Sequence, residues 1–128
     1  MRKIAVVTGA TSGIGQATAI KLAENGYDLV ITGRRAERLS ELEEKLRKIG
    51  ADVLSLCFDV RSFEQVKDNL GNLSGKWSDI DVLVNNAGGA LGKEPIQDGS
   101  IEDWDTMIDT NVKGLLYVTK TLLPKMCQ

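Results

Sequence analysis

The chain has 128 residues, a formal net charge of −2 and no histidine. That length fits one domain around a single core, and so small a charge argues against a general pull toward nucleic acid or an acidic membrane. The missing histidine excludes Ser-His-Asp, Cys-His and His-ligated metal chemistry. Apolar residues make up 42% and charged residues 27%, the mix of a globular protein. No apolar run reaches the roughly 18 residues of a membrane span. Met1-Arg2-Lys3 leads into a strand-like run without a signal-peptide pattern. Cys57 and Cys127 stand far apart with no CxxC, which predicts reduced thiols in a cytoplasm.

Taken in chain order, strand-like and helix-like runs alternate. Lys3 to Val7 is a short β-branched run. From Gly13 to about Asn25 the pattern predicts a helix, with Gly15, Ala19, Leu22 and Ala23 on one face and Gly26 at its C-terminal cap. Asp28 to Thr32 is the second predicted strand. Ala36 to Lys48 is a helix with Leu39, Leu42, Leu46 and Ile49 at helical spacing, ended by Gly50. Asp52 to Cys57 is the third strand. Ser62 opens a helix, with Gln65 expected to complete a capping box and Phe63, Val66, Leu70 and Leu73 to form its buried stripe. Ile80 to Val84 is the fourth strand. Ser100 caps a long final helix running toward Leu123, where Pro124 follows.

This alternation, with near-continuous apolar strands, predicts an α/β fold: a Rossmann-like, doubly wound parallel sheet covered on both faces. Right-handed crossovers put strands one, two and three on one side and return the fourth beside the first. A switch point then lies between the first and fourth strands, and ligands bind there outside the carboxyl ends.

Four segments follow those strand ends. In Thr8-Gly9-Ala10-Thr11-Ser12-Gly13-Ile14-Gly15, glycines allow a tight turn and close approach, and the helix start offers free N–H groups to a pyrophosphate. Gly33-Arg34-Arg35 comes about 20 residues later, where an NAD site usually carries an acid. Two guanidinium forks suit a phosphate dianion instead, which favours NADP. The competing explanation is that the two arginines pair with Glu37 or Glu41 on the next helix. In the third segment, Asp59 can accept from an adenine amino group while Val60 packs on the ring, or Asp59 can be a turn residue before Ser62. In the fourth, Asn85-Asn86-Ala87-Gly88, small residues open the strand end to cofactor while amides tie neighbouring loops, or the four form a plain polar turn. Asn111 sits inside the final helix, where Asn is a poor helix former, so its amide is expected to be used or the helix to bend there.

Together, the Thr-Gly-x-x-x-Gly-x-Gly turn, Asp59, Asn-Asn-Ala-Gly and Asn111 resemble the short-chain dehydrogenase/reductase family across the whole chain. Gly33-Arg34-Arg35, Leu91-Gly92 with Glu94-Pro95, and Glu102-Asp103-Trp104 through Asp109-Thr110-Asn111 are similar to its NADP-dependent 3-hydroxy acid dehydrogenases, which include enzymes of serine and allo-threonine. The resemblance implies that Gly9 to Ile14 hold the pyrophosphate and Arg34 and Arg35 the 2′-phosphate. It puts Asp59 and Val60 on adenine, Asn86 on the adenosine ribose side, and Asn111 first in an Asn-Ser-Tyr-Lys catalytic tetrad. It implies a dimer or tetramer through the final helix.

The tetrad's Tyr-x-x-x-Lys is not in these residues. Tyr27 is followed four positions on by Ile31, and Tyr117 by Thr121. Family members run to about 250 residues, a single-domain size. The expectation is therefore a cofactor-binding front half, inactive alone, of an enzyme moving hydride between NADP(H) and a small hydroxy or keto compound. Of these residues, only Gly89 to Glu94 would reach substrate. The alternatives are a non-catalytic dinucleotide-binding module, or an interaction fragment that exposes Leu115 to Leu123. Apolar residues wrap around much of that last helix (Leu115, Leu116, Tyr117, Val118, Leu122, Leu123), which predicts cover on more than one side.

Overall fold

A computed structural model describes residues 2–11, 13–88 and 95–127. Four parallel strands form one sheet in the order β3-β2-β1-β4: β1 (Lys3–Val7), β2 (Tyr27–Gly33), β3 (Val53–Cys57) and β4 (Val82–Val84). The helices are α1 (Gly13–Glu24), α2 (Ala36–Ile49), α3 (Phe63–Leu70), α4 (Ile101–Ile108) and α5 (Leu115–Met126). The predicted doubly wound order is therefore the observed one, with the reversal between β1 and β4.

The strand period of two divides the apolar residues between two cores. Ala5, Val7, Leu29, Ile31 and Val53 face α1 and α2, where Ala19, Ala23, Leu39, Leu42 and Leu46 meet them. Ile4, Val6 and Val30 face the other way, onto Val66 and Leu70 of α3 and Val118 and Leu122 of α5. Strands buried on both faces read as continuous apolar runs, which is why Ile4 to Val7 and Leu29 to Ile31 show no alternation.

Several boundaries differ from the sequence reading. Ser62 caps α3 as expected, its Oγ accepting from the Gln65 N–H at 3.2 Å. The reciprocal half of the capping box is absent, because the Gln65 Oε1 takes the Asp59 N–H at 2.9 Å instead. Phe63 does not join the buried stripe; it is 38% exposed and meets the Tyr117 ring with centroids 5.4 Å apart. Ile49 is likewise exposed at the last turn of α2. The fourth strand is shorter than predicted, starting at Val82. The final helix is not one uniform helix: α4 and α5 are joined by a π-helical turn over Asp109–Gly114, centred on Asn111. It also runs past its expected stop, with Pro124 inside α5.

At the opposite end of the sheet from the switch point, Asp28 is buried and fully engaged. Its Oδ1 accepts from Arg2 Nε at 2.7 Å and from the Asp52 N–H at 2.9 Å, and its Oδ2 accepts from Lys76 Nζ at 3.1 Å. Burial alone would raise its pKa; the Asp52 amide, Lys76 and Arg2 outweigh it and hold the carboxyl below its usual range. Asp28→Asn is expected to cost about 1–2 kcal/mol near neutral pH, because the buried side chain loses its charge-assisted hydrogen bonds to the partly exposed Arg2 and Lys76. Folding depresses this pKa, so the contribution is complete above the unfolded value of about 4 and is lost as pH falls through the folded value. Urea unfolding of both proteins at pH 7 and about pH 3 checks it: a gap that fails to narrow in acid refutes the assignment.

Among the described residues, no helix is long and apolar enough to cross a membrane, and no cluster of acids and cysteines could hold a metal.

Candidate cofactor site

The carboxyl ends of the strands open into a cleft of about 250 Å³. Residues of all four strand-end segments line it: Gly9 and Thr11 after β1; Gly33, Arg34 and Arg35 at the end of β2; Phe58, Asp59 and Val60 after β3; Ala87 and Gly88 after β4. Asn111 closes the wall from the π turn, together with Thr106, Met107 and Thr110.

The glycine turn is held by backbone contacts that leave no room for side chains. Gly9 has φ +60, and a Cβ there would lie 2.7 Å from the Ala87 Cα. At Gly15 a Cβ would overlap the Gly9 carbonyl oxygen and stand 2.5 Å from Asn86 Nδ2. Gly13 differs: its φ is +45, but a Cβ would meet nothing within 4 Å. The backbone there faces open space, the arrangement an approaching phosphate needs. Ile14 beside it is 76% exposed, so a large apolar side chain also stands at the open end of α1. Ala10 is fully buried and donates its N–H to the Thr32 carbonyl at 3.0 Å; it shapes the turn from inside. Ser12 lies outside the described residues, as do Gly89 to Glu94.

The fourth segment ties the switch point together. Asn86 Nδ2 donates to the Gly9 carbonyl at 3.1 Å, and the Asn86 and Ala87 N–H groups donate to Thr8 Oγ1 at 3.0 and 3.1 Å. Asn85 Nδ2 donates to Thr119 Oγ1 at 3.1 Å, joining β4 to α5. The loops after β1 and β4 are thus one unit, and Asn86 spends its amide on the glycine turn instead of lining the cleft. Gly88 lets Asn111 approach: a Cβ at 88 would overlap Asn111 Oδ1.

Arg34 and Arg35 form no ion pair with Glu37 or Glu41 among the described residues. Arg35 sits at the N-cap of α2, and its side chain makes no capping hydrogen bond. A guanidinium has no acceptor, so the first-turn amides of α2 and its positive dipole end are left beside the arginines. The sequence reading missed Arg38, which lines the same cleft. Its signal was present, since a residue three or four after Arg34 and Arg35 returns to the same helix face. Also missed were Phe58 and the threonines 106 and 110, which are i and i+4 on one helical face.

Asp59 has both oxygens on Arg61, with Arg61 Nη2 to Oδ2 at 2.7 Å. That hydrogen bond holds its pKa below the usual carboxylate range against the opposing effect of burial, with the charge of Arg34 adding to it.

An open parallel sheet, a glycine turn at its switch point and a helix starting from that turn define an α/β domain of the Rossmann type. The family pattern described as short chain dehydrogenase matches residues 3–128. The chain belongs to that family. The NADP-dependent 3-hydroxy acid dehydrogenase YdfG of Salmonella typhimurium is 50% identical over 125 residues, which are 98% of this chain and 49% of that protein. Serine dehydrogenase in its closed form, complexed with NADP+, superposes with a TM-score of 0.89 at 46% identity, covering 96% of this chain and 48% of that one. NAD+-bound xylitol dehydrogenase gives a TM-score of 0.92 at 34% identity, covering 97% and 48%. The chain spans about half the length of the curated relatives it matches. Because the same fold carries NAD+ in one neighbour and NADP+ in another, selection between them has to come from side chains at the cleft.

Proposed function

We propose that this chain binds NADP in the cleft and forms the cofactor half of an oxidoreductase that moves hydride between NADP(H) and a small hydroxy or keto compound, with 3-hydroxy acids as the substrate class. The observation that carries this reading is Arg34, Arg35 and Arg38 lining the same cleft as the glycine turn, with no carboxylate after β2. Gly9, Thr11, Gly13 and Ile14 hold the pyrophosphate side through backbone amides, and the arginines hold the 2′-phosphate. Asp59 and Val60 receive the base. Asn86, Ala87 and Gly88 keep the strand end open, and Asn111 orders the wall opposite. When bound, the nicotinamide supplies or accepts hydride. The proton needs a general acid, and no tyrosine here has a lysine four residues on. These 128 residues are therefore the binding half, and the proton donor belongs to a further part of a longer protein. Among the described residues, the half-buried β4 has a strand on one side only, which suits further chain against that edge.

Assembly into a dimer or tetramer uses the second face of the final helix. Val118 and Leu122 are buried, while Ile108, Val112, Leu115, Leu116 and Leu123 are 41–57% exposed. The exposed thiols of Cys57 and Cys127 suit a reducing cytoplasm.

Titration with NADPH and NADH, followed by a hydride-transfer assay, tests the reading. NADPH is expected to bind at least about tenfold more tightly, with no turnover by the 128 residues. Equal affinities would sink the cofactor claim, and turnover would sink the division of labour. A chimera carrying these residues in the Salmonella enzyme is expected to oxidise 3-hydroxy acids with NADP+. One that binds NADPH but ignores them would show that Gly89 to Glu94 do not suit that substrate class.

A further inference from the structure

We propose that Arg61 is a positioning residue for the base end of the dinucleotide, clamping Asp59 so that its carboxylate keeps an acceptor site open to the exocyclic amino group of adenine. This rests on the NADP-binding reading above.

Asp59 lines the cleft and Arg61 does not, so the arginine holds the carboxylate from outside the binding space. The two oxygens are loaded alike. Oδ1 accepts from the Arg61 backbone N–H at 2.9 Å and from Nε at 3.1 Å. Oδ2 accepts from Nη2 at 2.7 Å and shares the same Nε at 3.0 Å. An ionised carboxylate has about four lone-pair sites. Each oxygen therefore has one donor of its own and a share of Nε, so three donors serve the two oxygens together. With three donors on about four sites, room for one further donor remains on the carboxylate. A two-pronged fork also fixes the plane of the carboxylate, which a point charge cannot do.

The segment is anchored away from the cleft as well. The Asp59 N–H donates to Gln65 Oε1 at 2.9 Å, and the Ser62 N–H to the Asp59 carbonyl at 3.1 Å. Gly114 of the π turn sits so close to Val60 that a Cβ would lie 2.7 Å from its Cγ2. The charge of Asp109, which opens that turn, further favours the Arg61 cation after Asp59 itself. Residues 59 and 60 are thus held against α3 and the π turn, with the carboxylate left at the cleft wall.

A fixed carboxylate oxygen welcomes an amino group and repels a carbonyl. Hypoxanthine puts a carbonyl where adenine has its amino group, so the two dinucleotides read this contact directly. Wild type, Arg61→Met, Arg61→Lys, Asp59→Asn and the Arg61→Met/Asp59→Asn double variant would be titrated with NADPH and with its hypoxanthine counterpart, with thermal melting as a control for folding. Wild type is expected to prefer the adenine form roughly tenfold, the worth of a hydrogen bond to a charged group. Arg61→Met should bring the preference below about threefold, and Asp59→Asn should abolish it. The double variant should then lose nothing more. Arg61→Lys keeps the charge without the fork and should fall between wild type and Arg61→Met. Full preference in a folded Arg61→Met or Arg61→Lys overturns the positioning role and leaves NADP binding standing. Failure of wild type to bind either dinucleotide overturns the NADP reading and this inference with it.

Discussion

Replacing Arg34 and Arg35 together with serine is expected to weaken NADPH binding by roughly a hundredfold while moving NADH affinity by no more than about threefold. Both arginines line the cleft at the end of β2, and among the described residues neither pairs with an acid on α2. Each charge-assisted hydrogen bond to a phosphate contributes about 1.5–3 kcal/mol, and two such bonds account for the size of the effect. The uncapped first turn of α2 and Arg38 remain in the double variant, so binding should be weakened without being abolished. Selectivity is the decisive readout, because misfolding would lower both affinities in parallel. A parallel fall would mean that the arginines shape the loop and do not meet the phosphate.

Gly15→Ala is the second large effect. A methyl group at Gly15 would overlap the Gly9 carbonyl and crowd Asn86 Nδ2, which itself donates to that carbonyl. The obstructing atom is backbone, so no rotamer change relieves it. The start of α1 has to move off the sheet, or the loops after β1 and β4 have to separate. A loss of about 3 kcal/mol or more is expected, with NADPH binding removed in whatever stays folded. For a chain of this size that corresponds to a fall in melting temperature of roughly 10 °C or more. Gly13→Ala is the matched control. Its Cβ would meet nothing, and only the positive φ is strained, at a cost of about 1–2 kcal/mol. Equal melting temperatures for the two variants would show that the close approach at Gly15 is not what orders the turn.

Sheet order and the meeting of the four strand-end segments at one cleft were legible because both start from local signals. Apolar runs bounded by glycine mark Ile4 to Val7 and Leu29 to Ile31, and the handedness of parallel crossovers leaves one arrangement for them. Gly26 and Gly50 marked helix ends correctly, each with a positive φ that a side chain resists. The unusual Asn111 pointed to a break in the last helix, and the π turn is that break. Less local features were misread. Gln65 had two possible backbone donors, Ser62 and Asp59, and only the folded loop determined that Asp59 would be met. Phe63 fits an apolar stripe by spacing, yet it lies at the rim, where a ring contact with Tyr117 replaces burial.

By itself the sequence determined the strands, the glycine turn, the absence of an acid after β2 and the absence of a Tyr-x-x-x-Lys pair. All of these are statements about residue type at a given spacing, and spacing along a chain is enough to express them. Tertiary structure alone decided that Asn86 braces Gly9 across 77 positions, that Gly88 makes room for Asn111, and that Arg38 shares a cleft with Arg34 and Arg35. It also decided that Arg61, two residues from Asp59, folds back to hold both of its carboxylate oxygens. The physical reason is the same in each case: a hydrogen bond or a close contact depends on direction and separation to within a fraction of an ångström. Those quantities exist only once the sheet has brought distant segments to a common edge.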